Sequence, residues 1–270
     1  MDDRLHFPAS AAAGYDDHVG QYMGKLVPRL LEIARLRPGQ TVLDVATGTG
    51  IAAFAAADVV GKLGGIVATD ISPHMLDRAR ERLASFPNAS FSTEDGQALS
   101  FSDQSFDAVI CNMGLMYFPD PGKGVKEFYR VLRKSGRATV SVFHGSGAVY
   151  RLSSGREFGG VGTLIAATNP SKALHGGNFT KLGSDVADLF ANAGFHQIES
   201  EAYTGLLIMP SLDGYVQGIE AGAGSAGAEF LAVAPEVREA VRAELHDLLR
   251  ESNGEQVQVV VPVMFASGVR

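Results

Sequence analysis

The chain has 270 residues, 46% of them hydrophobic and 20% charged. That is enough apolar material for one large core with an added cap, and it argues against extended disorder. The formal charge of −7 disfavours nucleic acid and acidic membrane surfaces as partners, and no Lys/Arg run of the usual kind offsets it.

The one cysteine, Cys111, rules out an intrachain disulfide and fits a reducing compartment. It follows an apolar run and reads as a buried structural thiol. The start, Met1-Asp2-Asp3-Arg4, lacks a basic region followed by an apolar run. No apolar stretch approaches the ~18 residues of a membrane span. A cytoplasmic protein without signal peptide or membrane insertion is therefore expected.

Apolar runs alternate with helical patterns, which predicts an α/β fold with a mainly parallel sheet. Thr41–Val45 reads as a buried strand, followed by a helix from about Ile51 to Val60 with Gly61 near its end. Gly65–Thr69 reads as a second strand ending at Asp70. Ser72-Pro73 then starts a helix whose apolar face is Met75, Leu76, Ala79, Leu83 and Phe86. Ala89–Ser92 and Phe106–Cys111 read as strands three and four. Asp120-Pro121 repeats the cap signal for a helix with Val125, Phe128, Val131 and Leu132 on its apolar face, ended by Gly136. Arg137–Phe143 is the fifth strand.

After His144 the pattern weakens. Residues 145 to about 180 are rich in Gly and Ser and read as a lid or binding insertion. Ser184–Ala193 resumes as a helix ending at Gly194, and Gln197–Met209 alternates like a strand. Pro235–Glu251 is an amphipathic helix through Val237, Val241, Leu245 and Leu248. Val257–Val269 is a last strand, in which Pro262 suggests an edge or a bulge. The organisation expected is one domain over 1–270: a helical cap at 1–40, a cofactor-binding core at 41–144, and substrate cover at 145–182 and 210–255. Gly218–Gly227 offers the cover flexibility.

The sharpest local signal is Asp44-Val45-Ala46-Thr47-Gly48-Thr49-Gly50 between a strand and a helix. Glycines there permit a sharp turn and close ligand approach, and the helix start offers free N–H groups. Taken alone it also satisfies a dinucleotide pattern. Asp70, about 20 residues on, can accept from ribose hydroxyls, and Asp95-Gly96 can face an adenine amino group. Asp44, Asp70, Asp95 and Asn112 fall at or near the carboxyl ends of successive strands, where open parallel sheets bind ligands.

The chain resembles the class I S-adenosylmethionine-dependent methyltransferases, and among them the ubiquinone/menaquinone-biosynthesis type and its natural-product relatives. The residues that carry the resemblance are Val42–Gly50, Thr69-Asp70-Ile71-Ser72, Glu94–Leu99 with Phe101, Ser105-Phe106-Asp107, Met113–Asp120, and Glu127–Leu132 before Gly136. The family's usual Gly and Cys after the first acidic residue are Ala46 and Thr47 here. The resemblance implies a Rossmann-like seven-stranded, mostly parallel sheet with an antiparallel last strand and helices on both faces. It implies S-adenosyl-L-methionine as cofactor and S-adenosyl-L-homocysteine as product. Ala46, Gly48 and Gly50 would hold the methionine part, with Asp44 beside them. Asp70 would bind the ribose, Ile71 and Met75 would flank the adenine, and Asp95, Gly96 and Gln97 would meet its amino edge. Asn112 and Met113 would face the sulfonium, and Tyr15 would close over the cofactor.

A sulfonium already activates its methyl group, so the protein mainly aligns the acceptor and excludes water. Where a base is needed, His144 at the end of the fifth strand is the candidate. His18 is a weaker one. Tyr22, Tyr117, His175 and Asn178 are candidate substrate-pocket residues. Asp16-Asp17-His18 reads as a solvated helix start, and no metal site is expected. The reaction expected is methyl transfer to an O, C or N atom of a small, partly hydrophobic metabolite. Three alternatives remain: a protein or RNA methyltransferase, an NAD(P)-dependent oxidoreductase on the same glycine loop, and a cofactor-dependent cyclase.

Overall fold

The computed structural model describes residues 23–145, 148–168, 176–222 and 224–270, together with Ala12, Tyr15, Asp16 and Gly20. The side chains of residues 176–181, 224, 225 and 228 lie outside that description.

Five parallel strands form the frame: β1 (Thr41–Val45), β2 (Gly65–Asp70), β3 (Ala89–Thr93), β4 (Phe106–Asn112) and β5 (Leu132–Phe143). Four helices accompany them: α1 (Val27–Ala34), α2 (Ile51–Val60), α3 (Pro73–Arg82) and α4 (Pro121–Val131). Both expected caps are present. The Ser72 side chain accepts from the Met75 N–H, and that of Asp120 accepts from the Lys123 N–H. Each helix start also carries proline in its first turn, where no N–H is needed.

The strands run β3-β2-β1-β4-β5 across the sheet. The order therefore reverses between β1 and β4. Right-handed crossovers then place α2 and α3 on one face and α4 on the other. α1 packs on β4, β5 and α2, completing the first layer. α6 (Gly176–Ala193) packs on α4 and β5, completing the second.

The late strands are β8 (His196–Met209) and β9 (Val257–Val269). β9 is antiparallel and lies between β5 and β8, as expected for the last strand. Among the described residues the sheet has nine strands rather than seven. The two additions are β6 (Val149–Arg151) and β7 (Glu157–Gly159), a hairpin inside the insertion. Its cause is the length of β9. Val263–Val269 pair with β5, but the strand starts earlier, and Gln258–Val260 would leave ladder groups unpaired without β6.

Pro262 marks neither an edge nor a bulge. It sits in the gap between the β5 and β6 ladders, and its carbonyl accepts the His144 N–H at 3.0 Å. A strand residue's N–H points to the same side as its C=O, so the missing donor falls where no ladder bond is required. Gly136 does not end α4, which stops at Val131 with Leu132 already extended (φ −70°, ψ 142°). Gly136 belongs to β5, where a Cβ would come within 2.9 Å of the Arg133 and Asp107 carbonyls.

The cover is built from β6, β7 and the helices α5 (Val161–Thr168), α7 (Asp213–Glu220), α8 (Gly224–Ala232) and α9 (Pro235–Ser252). Ile165, Phe230, Val241, Leu245 and Leu248 are fully or almost fully buried there and continue the core of the frame. Tyr150 stacks on Phe158, with ring centroids 5.0 Å apart. Within Gly218–Gly227, Gly222 and Gly227 are closely packed. Gly222 turns the chain at φ 79°, and a Cβ on Gly227 would come 2.5 Å from the Gly222 carbonyl carbon. Cys111 is fully buried, and burial pushes its thiol far up from its ordinary value. Among the described residues no helix is long and apolar enough to cross a membrane.

Arg130 pins the connection between β3 and β4. Its guanidinium donates to the carbonyls of Leu99 and Phe101 and to Asp103 and Glu127, all at 2.7–2.8 Å. Glu127 accepts the Leu99 N–H in return, at 2.8 Å. Arg130→Met leaves those carbonyls and Glu127 without their donor. The expected loss is about 2–3 kcal/mol, measured as a lower urea midpoint with an unchanged slope.

Candidate active site

The reversal between β1 and β4 opens a cleft at the carboxyl edge of the sheet, about 970 Å³ including its mouth. The turn after β1 forms its floor. Asp44 is fully buried, and one carboxylate oxygen accepts from the Thr47 hydroxyl at 2.6 Å. The other oxygen has no partner among the described residues. Burial pushes the Asp44 carboxyl up to about 7, and the nearby Asp70 charge adds to this against the Thr47 hydrogen bond.

The turn continues through Ala46 at φ 55° and Gly48 at φ 57°. A left-handed backbone costs a non-glycine residue roughly 1 kcal/mol, so Ala46 occupies, under strain, a position that suits glycine. A Cβ at Gly48 would meet nothing within 4 Å, so the space beside it is free for a ligand.

Asp70 ends β2 and is 7% exposed. One oxygen accepts the Gly48 N–H and the other the Ser72 N–H, both at 2.9 Å. Burial raises its pKa, and the N–H bonds from Ser72 and Gly48 oppose the rise. Ile71 and Met75 follow on the same wall.

The next wall carries Glu94, Asp95, Gly96 and Gln97. Asp95 is exposed and accepts from the Gln97 N–H at 2.9 Å and its side-chain amide at 3.2 Å. Gly96 is packed, since a Cβ there would collide with the Phe118 ring. Burial alone would raise Glu94, but hydrogen bonds from Ser100 and Ser92 outweigh it and leave its carboxyl below the usual value.

Asn112 ends β4, and Met113 follows it, left-handed at φ 55°. Tyr15 and Tyr117 also line the cleft. Burial raises the Tyr15 phenol far above its ordinary value, with smaller contributions from Tyr117, Asp16 and Asp70.

The structure thus brings together Tyr15, Asp44, Ala46, Gly48, Asp70, Ile71, Met75, Asp95, Gly96, Gln97, Asn112, Met113 and Tyr117 in one cleft. Gly50 does not line it. A Cβ there would come within 2.9–3.1 Å of Leu83 and Ala79, so this glycine serves the contact between the start of α2 and α3. His144 is also outside the lining, on the same edge of the sheet at the end of β5. Its buried Nδ1 has no partner among the described residues. His18, Tyr22, His175 and the Asn178 side chain lie outside the described residues.

Asp16 is not solvated as its sequence setting suggests. It accepts from the Thr49 hydroxyl and from Arg82, both at 2.6 Å. Arg82 also donates to the Thr49 carbonyl at 2.8 Å. Thr47 and Thr49, within the loop expected to hold the cofactor, are in the lining too, whereas Met23, Glu94 and Phe118 are in it without having been expected. Glu94 had a signal, since it neighbours the acidic residue that was chosen. Phe118 lies in the Met113–Asp120 segment that carries the resemblance, and Met23 has no signal beyond ordinary apolar character.

A parallel sheet reversing at β1/β4, with an antiparallel strand beside β5 and carboxylates at successive strand ends, is the architecture of class I methyltransferases. Residues 42–136 match the methyltransferase-domain family. Over these residues the chain is similar to methyltransferase domains.

The chain is 34% identical over 141 residues to a ubiquinone/menaquinone biosynthesis C-methyltransferase of Hydrogenovibrio crunogenus. That match takes in 49% of this chain and 56% of the relative, about half of each. Two solved structures share the fold. One is a phosphoethanolamine N-methyltransferase 2 of Haemonchus contortus in complex with S-adenosyl-L-methionine, with a TM-score of 0.61 and 17% identity over 99% of this chain and 58% of that one. The other is a SAM-dependent methyltransferase of Aquifex aeolicus, with a TM-score of 0.52 and 19% identity over 70% of this chain and 89% of that one.

The raised carboxyls fix a pH dependence. Between the ordinary value of 3.8 and about 7 the native state holds a proton on Asp44 that the unfolded chain has lost. The Asp44 contribution to stability therefore falls as pH rises through that window. Asp44→Asn, which keeps the Thr47 hydrogen bond, removes the effect. The variant is expected to be more stable than the parent at pH 7.5 and to match it near pH 4, read from urea midpoints at both pH values.

Proposed function

We propose that the chain binds S-adenosyl-L-methionine in this cleft and transfers its methyl group to a small, partly hydrophobic metabolite, releasing S-adenosyl-L-homocysteine. The observation that carries the reading is a buried Asp44 oxygen with no close hydrogen-bond partner among the described residues, beside Asp70 at the ends of adjacent strands in one cleft. Two buried carboxyls with raised pKa values favour a cationic ligand, which lowers the cost of ionising both. The open space at Gly48 supports the same fit.

When bound, the cofactor supplies a sulfonium-activated methyl open to in-line displacement. The chain's own part is to hold, orient and exclude water. The turn from Ala46 to Gly48 would hold the methionine part, with Asp44 facing its cationic groups. Asp70 would accept from the ribose hydroxyls, and its bonds from Gly48 and Ser72 fix it for that. Ile71 and Met75 would flank the adenine, and Asp95, Gly96 and Gln97 would meet its amino edge. Asn112 and Met113 would face the reacting centre, and Tyr15 would close over it, held by its neighbour Asp16. Tyr117 would contact the acceptor. Residues 41–144 are the proposed cofactor unit, 145–182 and 210–255 the substrate cover, and 1–40 the cap, all working as one domain in the cytoplasm without nucleic acid as partner.

His144 is the proposed proton acceptor where the substrate needs one. His144→Ala is expected to lower turnover about tenfold or more with cofactor affinity unchanged; equal turnover removes that role.

The direct test gives methyl-labelled S-adenosylmethionine to the purified protein with a crude cell extract. Label in an organic-extractable small product, with matching release of S-adenosylhomocysteine, is expected. Label in protein or RNA, or absence of cofactor binding by calorimetry, overturns the reading.

A further inference from the structure

Asn112 ends β4 directly opposite Ser141 on β5. Ser141 is fully buried. The Met113 N–H is shared between the Ser141 hydroxyl oxygen and the Ser141 backbone carbonyl, both at 3.0 Å, and the buried hydroxyl proton needs an acceptor of its own. That acceptor is the Asn112 Oδ1 at 2.8 Å. Turning the amide over would set an N–H₂ group against a hydroxyl that already receives the Met113 N–H. The Ser141 proton would then be buried without a partner, a costly arrangement. The Asn112 amide therefore has one orientation, with Oδ1 committed and Nδ2 left as a donor.

That donor has no partner among the described residues, and Asn112 is half-buried in the lining of the cleft. Among the other side-chain donors of the lining, Thr47 donates to Asp44, Thr49 to Asp16 and the Gln97 amide to Asp95, and the phenols of Tyr15 and Tyr117 add two hydroxyls. Asp44, Asp70, Glu94 and Asp95, all in the same lining, can only accept when ionised. The cleft is thus rich in acceptors and holds a fixed, open donor at the end of β4.

We infer that Asn112 is a specificity-determining residue. Its Nδ2 reads a hydrogen-bond-accepting oxygen on the methyl acceptor, and Ser141 is the positioning residue that prevents the amide from presenting Oδ1 instead. An oxyanion or carbonyl oxygen is selected at this subsite, and an amine, which would bring a donor to a donor, is rejected. The inference rests on the cofactor reading given above, because it assigns the acceptor side of the same cleft.

The test uses the full chain saturated with S-adenosylhomocysteine and two similar-sized probes, 4-nitrophenol and 4-nitroaniline, followed by their absorbance. The wild-type protein is expected to bind 4-nitrophenol with its spectrum shifted toward the anion, and 4-nitroaniline about tenfold more weakly or worse. Asn112→Asp keeps an acceptor for Ser141 but turns the open donor into an acceptor. It is expected to lose about tenfold or more in 4-nitrophenol affinity, and the anion shift with it, with S-adenosylhomocysteine affinity unchanged. Ser141→Ala frees the amide to turn and is expected to lose part of both. Three results overturn the inference: equal 4-nitrophenol binding by Asn112→Asp, wild-type preference for 4-nitroaniline, or a tenfold fall in S-adenosylhomocysteine affinity in Asn112→Asp, which would assign the amide to the cofactor. A wild-type protein that fails to bind S-adenosylhomocysteine overturns the cofactor reading itself, a result distinct from all three.

Discussion

The carboxylate of Asp70 holds two turns at once. One oxygen takes the Gly48 N–H from the turn after β1, and the other takes the Ser72 N–H at the start of α3. Ser72 in turn caps α3 through Met75. The same junction is laced a second time, because the Thr69 hydroxyl donates to the Asp44 carbonyl and the Thr47 N–H to the Thr69 carbonyl. The cleft floor is therefore built on the end of the neighbouring strand and not on its own loop. From there α3 extends the control outward. Arg82 at its last turn holds Thr49 and Asp16, and with Asp16 comes Tyr15 above the cleft. A charge buried at this cost is a poor way to gain stability and a good way to fix geometry.

The opposite walls are held by different means. Ser141 locks the turn after β4, while Arg130 and Glu127 lock the connection that leads away from Gly96 and Gln97. Arg130 and Glu127 lie inside a segment that carries the family resemblance, yet neither lines the cleft. Their part is structural: they place the third wall against the fourth. A motif residue can thus serve a site by fixing the backbone that forms it.

This division explains what the sequence could disclose. Strands β1, β2 and β4 are short, mostly apolar runs, and Ser-Pro and Asp-Pro caps start the helices that follow β2 and β4, signals that act within a few residues and survive tertiary packing. The acidic strand ends were legible for the same reason. Gly50 was misread because a glycine pattern does not say whether the missing Cβ makes room for a ligand or for a neighbouring helix; here Ala79 and Leu83 take the space. Asp16 was misread because its partner Arg82 is 66 residues away. β6 and β7 were not visible at all, since a strand of three residues is too short to alternate. Pro262 misled because its effect depends on where two other strands stop.

The overhang of β9 also separates the two tasks of the molecule. Its second half belongs to the sheet that carries the cleft, through β5. Its first half carries β6, which pairs with β7 and so joins the cover. Ser154 and Arg156, between the strands of that hairpin, bind Glu251 on α9 at 3.0 and 2.7 Å. The cover is therefore fastened to the frame by a continuous strand and shares its apolar core, in which Phe230 and Leu245 are buried together with the strands of the frame. The hydrogen bonds of Asp70 and Ser141, by contrast, lie wholly within the frame that carries the cleft, so its walls are fixed by contacts in which the cover takes no part.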